Sequence, residues 1–167
     1  MNIRLKDLAA SPDGRICFDY TIDLSGEEVN FEHPFSEPVV VSGQVSDDAG
    51  MIRLTASVET VVHTRCARCN RPVAYGKTVD VDFALVPALS GGEEQDDVIV
   101  VSSDDVELDD ILVPELILDM EMAVLCGEDC KGLCPKCGKN LNEGPCGCDT
   151  KEIDPRLEAL RKLLPRE

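Results

Sequence analysis

The sequence contains no tryptophan and only six other aromatic residues, and it is poor in positive charge, with 16 Lys+Arg against 33 Asp+Glu and a formal charge of −17. Proteins that coat nucleic acid draw their affinity from Lys and Arg neutralising phosphates, so a uniformly basic RNA- or DNA-binding surface is excluded. No run of about 18 apolar residues, the length that spans a bilayer as a helix, is present, and the N-terminal MNIRLKDLAA lacks the apolar stretch of a signal peptide. The chain is therefore expected to be cytoplasmic, with no membrane partner. Also missing are a phosphate-binding glycine loop, a nucleophile elbow and an HExxH pair. An enzyme acting on a small-molecule substrate is not expected.

Hydrophobic residues make up 43% and charged residues 29% of the 167 positions, ordinary values for a globular chain that buries a core. This length suits one domain, or one domain carrying a small appended module. The negative charge is unevenly placed. Residues 90–125 carry twelve acids and no base, whereas residues 61–79 carry no acid and hold Arg65, Arg68, Arg71 and Lys77 beside His63 and Tyr75. A basic contact zone for phosphates, with Tyr75 available for stacking, is one reading of 61–79; a solvated hairpin is the other.

The periodicities predict an α+β fold. Ile16, Phe18, Tyr20 and Ile22, then Val39, Val41 and Val45, then Ile52, Leu54, Ala56 and Val58, then Val79, Val81, Phe83 and Leu85 alternate with period two. Such runs are half-buried strands of an antiparallel sheet or open barrel, with Ser46 to Gly50 as a hairpin turn. Residues 88–97, rich in Gly and acids, read as a solvated loop, and Val98 to Val101 as a further strand. Leu108, Ile111, Leu112, Leu116 and Met120 follow a helical period over about 109–122, with Asp109 and Asp110 at the favourable N-terminal end and Pro114 bending the axis. Asp154-Pro155 opens a terminal helix within 151–167. The predicted division is a β-rich domain 1–125, a cysteine-rich module 126–150 and the helix 151–167.

Nine cysteines are present, eight of them in close pairs, which in a reducing compartment indicates metal rather than disulfides. The odd one, Cys17, is expected to be a small buried hydrophobe. Cys134-Pro-Lys-Cys137-Gly138 with Cys146-Gly-Cys148 has the spacing of a four-thiolate zinc site, Gly138 allowing the tight turn. Cys66-Ala-Arg-Cys69 needs partners, and Cys126 and Cys130 remain. A second zinc site joining these four would close a loop of more than fifty residues; two weak separate pairs, or a mixed site using His63, are the alternatives. One zinc is thus expected and a second is compatible with the spacing. Cys130 to Cys137 also reads C-x3-C-x2-C, the iron–sulfur spacing of radical SAM enzymes, but no strand–helix repeat follows it.

These residues resemble a known family. The strand-borne Cys66-Ala-Arg-Cys69, the acidic Val106-Glu-Leu-Asp-Asp, the stretch Leu125-Cys-Gly-Glu-Asp-Cys-Lys-Gly-Leu-Cys-Pro-Lys-Cys-Gly-Lys-Asn-Leu-Asn142, Cys146-Gly-Cys148 and Asp154 to Leu164 together resemble the bacterial YceD family, the large ribosomal RNA subunit accumulation proteins. The resemblance implies a cytoplasmic, non-catalytic ribosome biogenesis factor whose partner is large-subunit rRNA or a pre-ribosomal particle. Arg65, Arg68, Arg71 and Lys77 are then the expected RNA contacts, with Arg156, Arg161, Lys162 and Arg166 as a second basic group. The competing expectation is an acidic adaptor or holdase for a basic ribosomal protein, without RNA contact.

Overall fold

The computed structural model describes residues 1–87 and 97–149. Within them the chain runs β1 (Asn2–Arg4), α1 (Lys6–Ala10), β2 (Arg15–Ile22), β3 (Val39–Asp48), β4 (Met51–Arg65), β5 (Pro72–Pro87), β6 (Val98–Val101), β7 (Asp105–Glu107) and α2 (Asp109–Leu118), with one 3-10 turn at Leu141–Glu143. It divides into two compact units. The first is Met1–Thr64 with Val73–Met122; the second is Arg65–Pro72 with Ala123–Glu167. The second unit thus takes the segment between β4 and β5 as well as the cysteine-rich region.

The first unit is α+β. Five strands form one sheet in the order β2-β3-β4-β5-β6, and β1 pairs with β7 in a separate two-stranded ladder. β3 is antiparallel to both β2 and β4, whereas β6 runs parallel to β5 with Ala84 opposite Val98. Among the described residues β2 and β6 are the two edges, so the sheet is open. The expected hairpin turn is present: Ala49 and Gly50 both adopt positive φ, and the Gly50 N–H donates to the Asp47 carboxylate at 2.7 Å.

Alternation along the strands sends one set of side chains to the core. Val39, Val41, Val45, Leu54, Val58 and Val62 are essentially inaccessible, and Leu108, Leu112 and Leu116 from the α2 region belong to the same apolar cluster. The Tyr20 hydroxyl donates to Asp109 at 2.7 Å, joining β2 to the start of α2, and burial together with that bond raises the tyrosine pKa.

α2 ends at Leu118, a turn short of the expected 122. Pro114 lies inside it and cannot donate to the Asp110 carbonyl, while Asp119 and Glu121 follow where the helix dipole disfavours negative charge. Both carboxylates pair instead with Lys77 on β5, at 2.8 and 3.3 Å. The structure also corrects the expectation for Cys17. It is exposed, on the outward-facing phase of β2 between the core positions Ile16 and Phe18, and lines an open groove of about 470 Å³ with Ser42, Gln44, Thr55 and Asp80. The predicted helix in 151–167 and nearly all of the acidic loop 88–97 lie outside the described residues.

Candidate metal centre

Both expected four-cysteine sets assemble within the second unit. In each set, Cys66, Cys69, Cys126 and Cys130, and Cys134, Cys137, Cys146 and Cys148, all four sulfurs lie within 4.8 Å of one another. Cys66 and Cys69, whose partners the spacing left open, are thus brought together with Cys126 and Cys130. His63 is not part of it; its ring faces Glu37 at 3.5 Å.

The sulfur spacing in the first set fits a tetrahedral ion. Metal–sulfur bonds of about 2.3 Å place the sulfurs of a tetrahedron about 3.8 Å apart. Cys66 and Cys130 are separated by 3.7 Å and Cys69 and Cys126 by 3.5 Å, well beyond the ~2 Å of a disulfide. All nine cysteines are free thiols.

The two C-x-x-C segments share one backbone design. Cys66 N–H donates to the Arg71 carbonyl at 2.8 Å and Asn70 N–H to the Cys66 carbonyl at 2.9 Å; Cys134 N–H donates to Lys139 at 2.8 Å and Gly138 N–H to Cys134 at 2.9 Å. Asn70 and Gly138 occupy matching left-handed positions, with φ of 58° and 72°. Asparagine is one of the few residues besides glycine that tolerates this region, so Asn70 does in one knuckle what Gly138 does in the other. Gly138 is legible in the sequence as a turn residue, whereas Asn70 is not. The signal was Cys-x-x-Cys followed by Asn or Gly and then Arg or Lys.

These turns aim N–H groups at sulfur. Burial pushes the Cys66 thiol up, but N–H donors from Cys126, Cys69 and Arg68 outweigh it and lower the pKa to about 6; N–H groups of Cys137 and Lys136 lower Cys134 to about 6. Cys126 and Cys148 are pushed up to about 12, chiefly by hydrogen bonding to the neighbouring sulfurs Cys69 and Cys137 respectively. Metal binding to such sulfurs is coupled to the loss of their protons.

Asn142 reaches from the loop of one cluster to a ligand of the other. Its amide donates to Cys130 Sγ at 3.4 Å, and its side-chain oxygen accepts the Lys131 N–H at 2.8 Å. Hydrogen bonds to metal-binding groups commonly change metal affinity 10–100-fold. Asn142→Ala is expected to weaken the Cys66/Cys69/Cys126/Cys130 centre by about tenfold or more in chelator competition.

The basic residues expected to touch RNA separate into two groups. Arg65, Arg68 and Arg71 are exposed on the first knuckle, with Arg65 donating to the Asn70 carbonyl at 3.3 Å and Arg68 to the Cys130 carbonyl at 3.1 Å. Lys77 belongs to the first unit, where its side chain is only 12% exposed between Asp119 and Glu121. Tyr75 is half-buried against the core of the same unit. Arg156, Arg161, Lys162 and Arg166 lie outside the described residues.

The family model described as "Large ribosomal RNA subunit accumulation protein YceD" matches residues 54–164. The uncharacterized protein YlbN of Bacillus subtilis is 26% identical over 152 residues, covering 90% of this chain and 88% of that protein. An uncharacterized protein of Mycobacterium tuberculosis is 30% identical over 116 residues, 68% of this chain and 56% of its own length. In Zea mays, "Large ribosomal RNA subunit accumulation protein YCED homolog 1, chloroplastic" is 27% identical over 149 residues, 70% of this chain, which spans half of the maize protein. No solved structure matches, and no described helix is long and apolar enough to cross a membrane. Since the match takes in the first knuckle, the sheet's later strands and both cysteine clusters, the chain belongs to the YceD family.

Proposed function

We propose that this protein is a non-catalytic factor that supports accumulation of large-subunit ribosomal RNA by binding precursor rRNA or an early assembly particle through its first metal knuckle. The observation that carries this reading is the placement of Arg65, Arg68 and Arg71. All three are exposed on a short turn around Cys66 and Cys69, in a stretch without a single acid. A turn fixed by a metal presents guanidinium groups with little conformational freedom left to lose, and arginine suits phosphate recognition through its planar fork. Lys77, already matched by Asp119 and Glu121, is left out of the contact.

The metal is zinc in this reading. Eight thiolates in two tetrahedral sets suit zinc's preference for sulfur, and four protein sulfurs leave no open position at which water or substrate is activated. The centres are therefore structural, which accords with the absence of any recognisable catalytic constellation in the sequence. The family name borne by the maize relative supplies the RNA, and a cytoplasmic or organellar ribosome is the natural setting.

Replacing Arg65, Arg68 and Arg71 with Glu tests the reading. Affinity for large-subunit rRNA fragments is expected to fall about a hundredfold, with the salt slope reduced by about three. Unchanged affinity and unchanged salt dependence in filter binding defeat it, and favour an adaptor that reaches the ribosome through protein alone.

A further inference from the structure

Phe31 is a large apolar side chain left open to solvent among the described residues. It is 96% exposed, at the tip of a tight turn in which Val29 N–H donates to the Glu32 carbonyl at 2.9 Å and Glu32 N–H to the Val29 carbonyl at 3.1 Å. Asn30 and Phe31 both adopt positive φ, 54° and 66°. Asparagine suits that conformation, but a bulky aromatic does not, and the second central position of such a turn ordinarily belongs to glycine. Phe31 is thus unfavourable for the free protein twice over, in solvent exposure and in backbone conformation.

The turn is nevertheless anchored. Thr64 Oγ1 donates to Glu32 at 3.0 Å, His63 N–H donates to the Pro34 carbonyl at 2.8 Å, and neighbouring Phe35 is buried in the core. Along the sequence, residues 16–52 include eight acids and no Lys or Arg, and Glu27 and Glu28 are exposed on the arm leading to the tip.

We propose that the Val29–Glu32 turn is a docking point for a Lys/Arg-rich segment of a partner protein. Phe31 lies against an arginine guanidinium or enters an apolar notch of the partner, while Glu27 and Glu28 meet its basic side chains. An aromatic ring also stacks on bases, but the acids around this one repel phosphates, and a second copy of the chain would bring the same negative surface. The turn belongs to the first unit and the arginine knuckle to the second. It rests on the large-subunit reading only in the choice of probe.

The test places benzoylphenylalanine at position 31 of the metal-loaded full chain. Photolysis is carried out with salt-stripped large-subunit ribosomal proteins and, separately, with naked large-subunit rRNA. The expected result is a crosslink within a Lys/Arg-rich protein segment, competed by unlabelled wild-type chain and at least tenfold less well by Phe31→Gly or by Glu27→Lys with Glu28→Lys. Phe31→Gly is also expected to melt at a higher temperature than wild type, because it relieves the turn. A crosslink to rRNA alone, no protein crosslink, equal competition by Phe31→Gly, or a lowered melting temperature for that variant each overturns the proposal. Filter binding of the arginine variant to rRNA is read separately, so failure here and failure of the RNA reading are distinguishable.

Discussion

Stripping metal with a strong chelator is expected to abolish amide protection at Cys66, Asn70, Cys134 and Gly138 while Val41, Val58 and Val62 continue to exchange slowly. The reason lies in what each unit buries. Among the described residues of the second unit, the only buried side chains are cysteines: Cys66, Cys69, Cys130 and Cys134. Without an ion, no apolar core among the described residues backs these thiols, and their mutual hydrogen bonds hold them only weakly. Structural zinc sites supply about 10–16 kcal/mol of apparent binding energy, far more than so small an apolar interior provides. The first unit has an apolar core of its own, which includes Phe18, Leu54 and Leu116. Hydrogen exchange read by mass spectrometry or NMR separates the two responses. Persisting protection of the knuckle amides after complete chelation contradicts this account.

Gly43→Ala is expected to cost about 3 kcal/mol of stability in the first unit, a large loss for removing no interaction at all. Gly43 lies mid-strand in β3, opposite Phe18 on β2 and Ala56 on β4. A Cβ there meets the Thr55 carbonyl oxygen at 2.4 Å and the Ala56 Cα and Cβ at 2.8 Å. These are mostly backbone atoms of the central strand, which cannot swing aside as a flexible side chain does. Elsewhere in a strand, exchanging glycine for alanine helps by reducing chain entropy; here close backbone approach reverses the sign. The measurement is urea unfolding: a lower midpoint with unchanged slope is the expected outcome, and an unchanged midpoint contradicts it.

Much of this architecture was legible because the signals are periodic or chemical. Ile16 to Ile22 and Val79 to Leu85 alternate cleanly, and sheet burial follows that alternation. The C-x2-C and C-x-C spacings announced the Cys134–Cys148 set directly. The partnership of Cys66 and Cys69 with Cys126 and Cys130 was reached only by elimination, since ligands more than fifty residues apart leave no local pattern. Cys17 was misplaced because its small, apolar-like side chain suggests burial, whereas strand phase decides which face it takes. Lys77 looked like a member of the arginine group by proximity in sequence. Its partners, Asp119 and Glu121, come from beyond the end of α2, and no linear reading brings them together. Asn70 and Phe31 were missed for a common reason: their importance lies in positive φ, which residue type hints at for asparagine and conceals for phenylalanine.

If two four-thiolate ions build the second unit and fix the arginine knuckle, native mass spectrometry of protein purified without added metal will show them. Two zinc ions per chain are expected, bound with displacement of cysteine protons. A chain carrying one ion or none, or a mass deficit showing disulfides in place of metal, contradicts it.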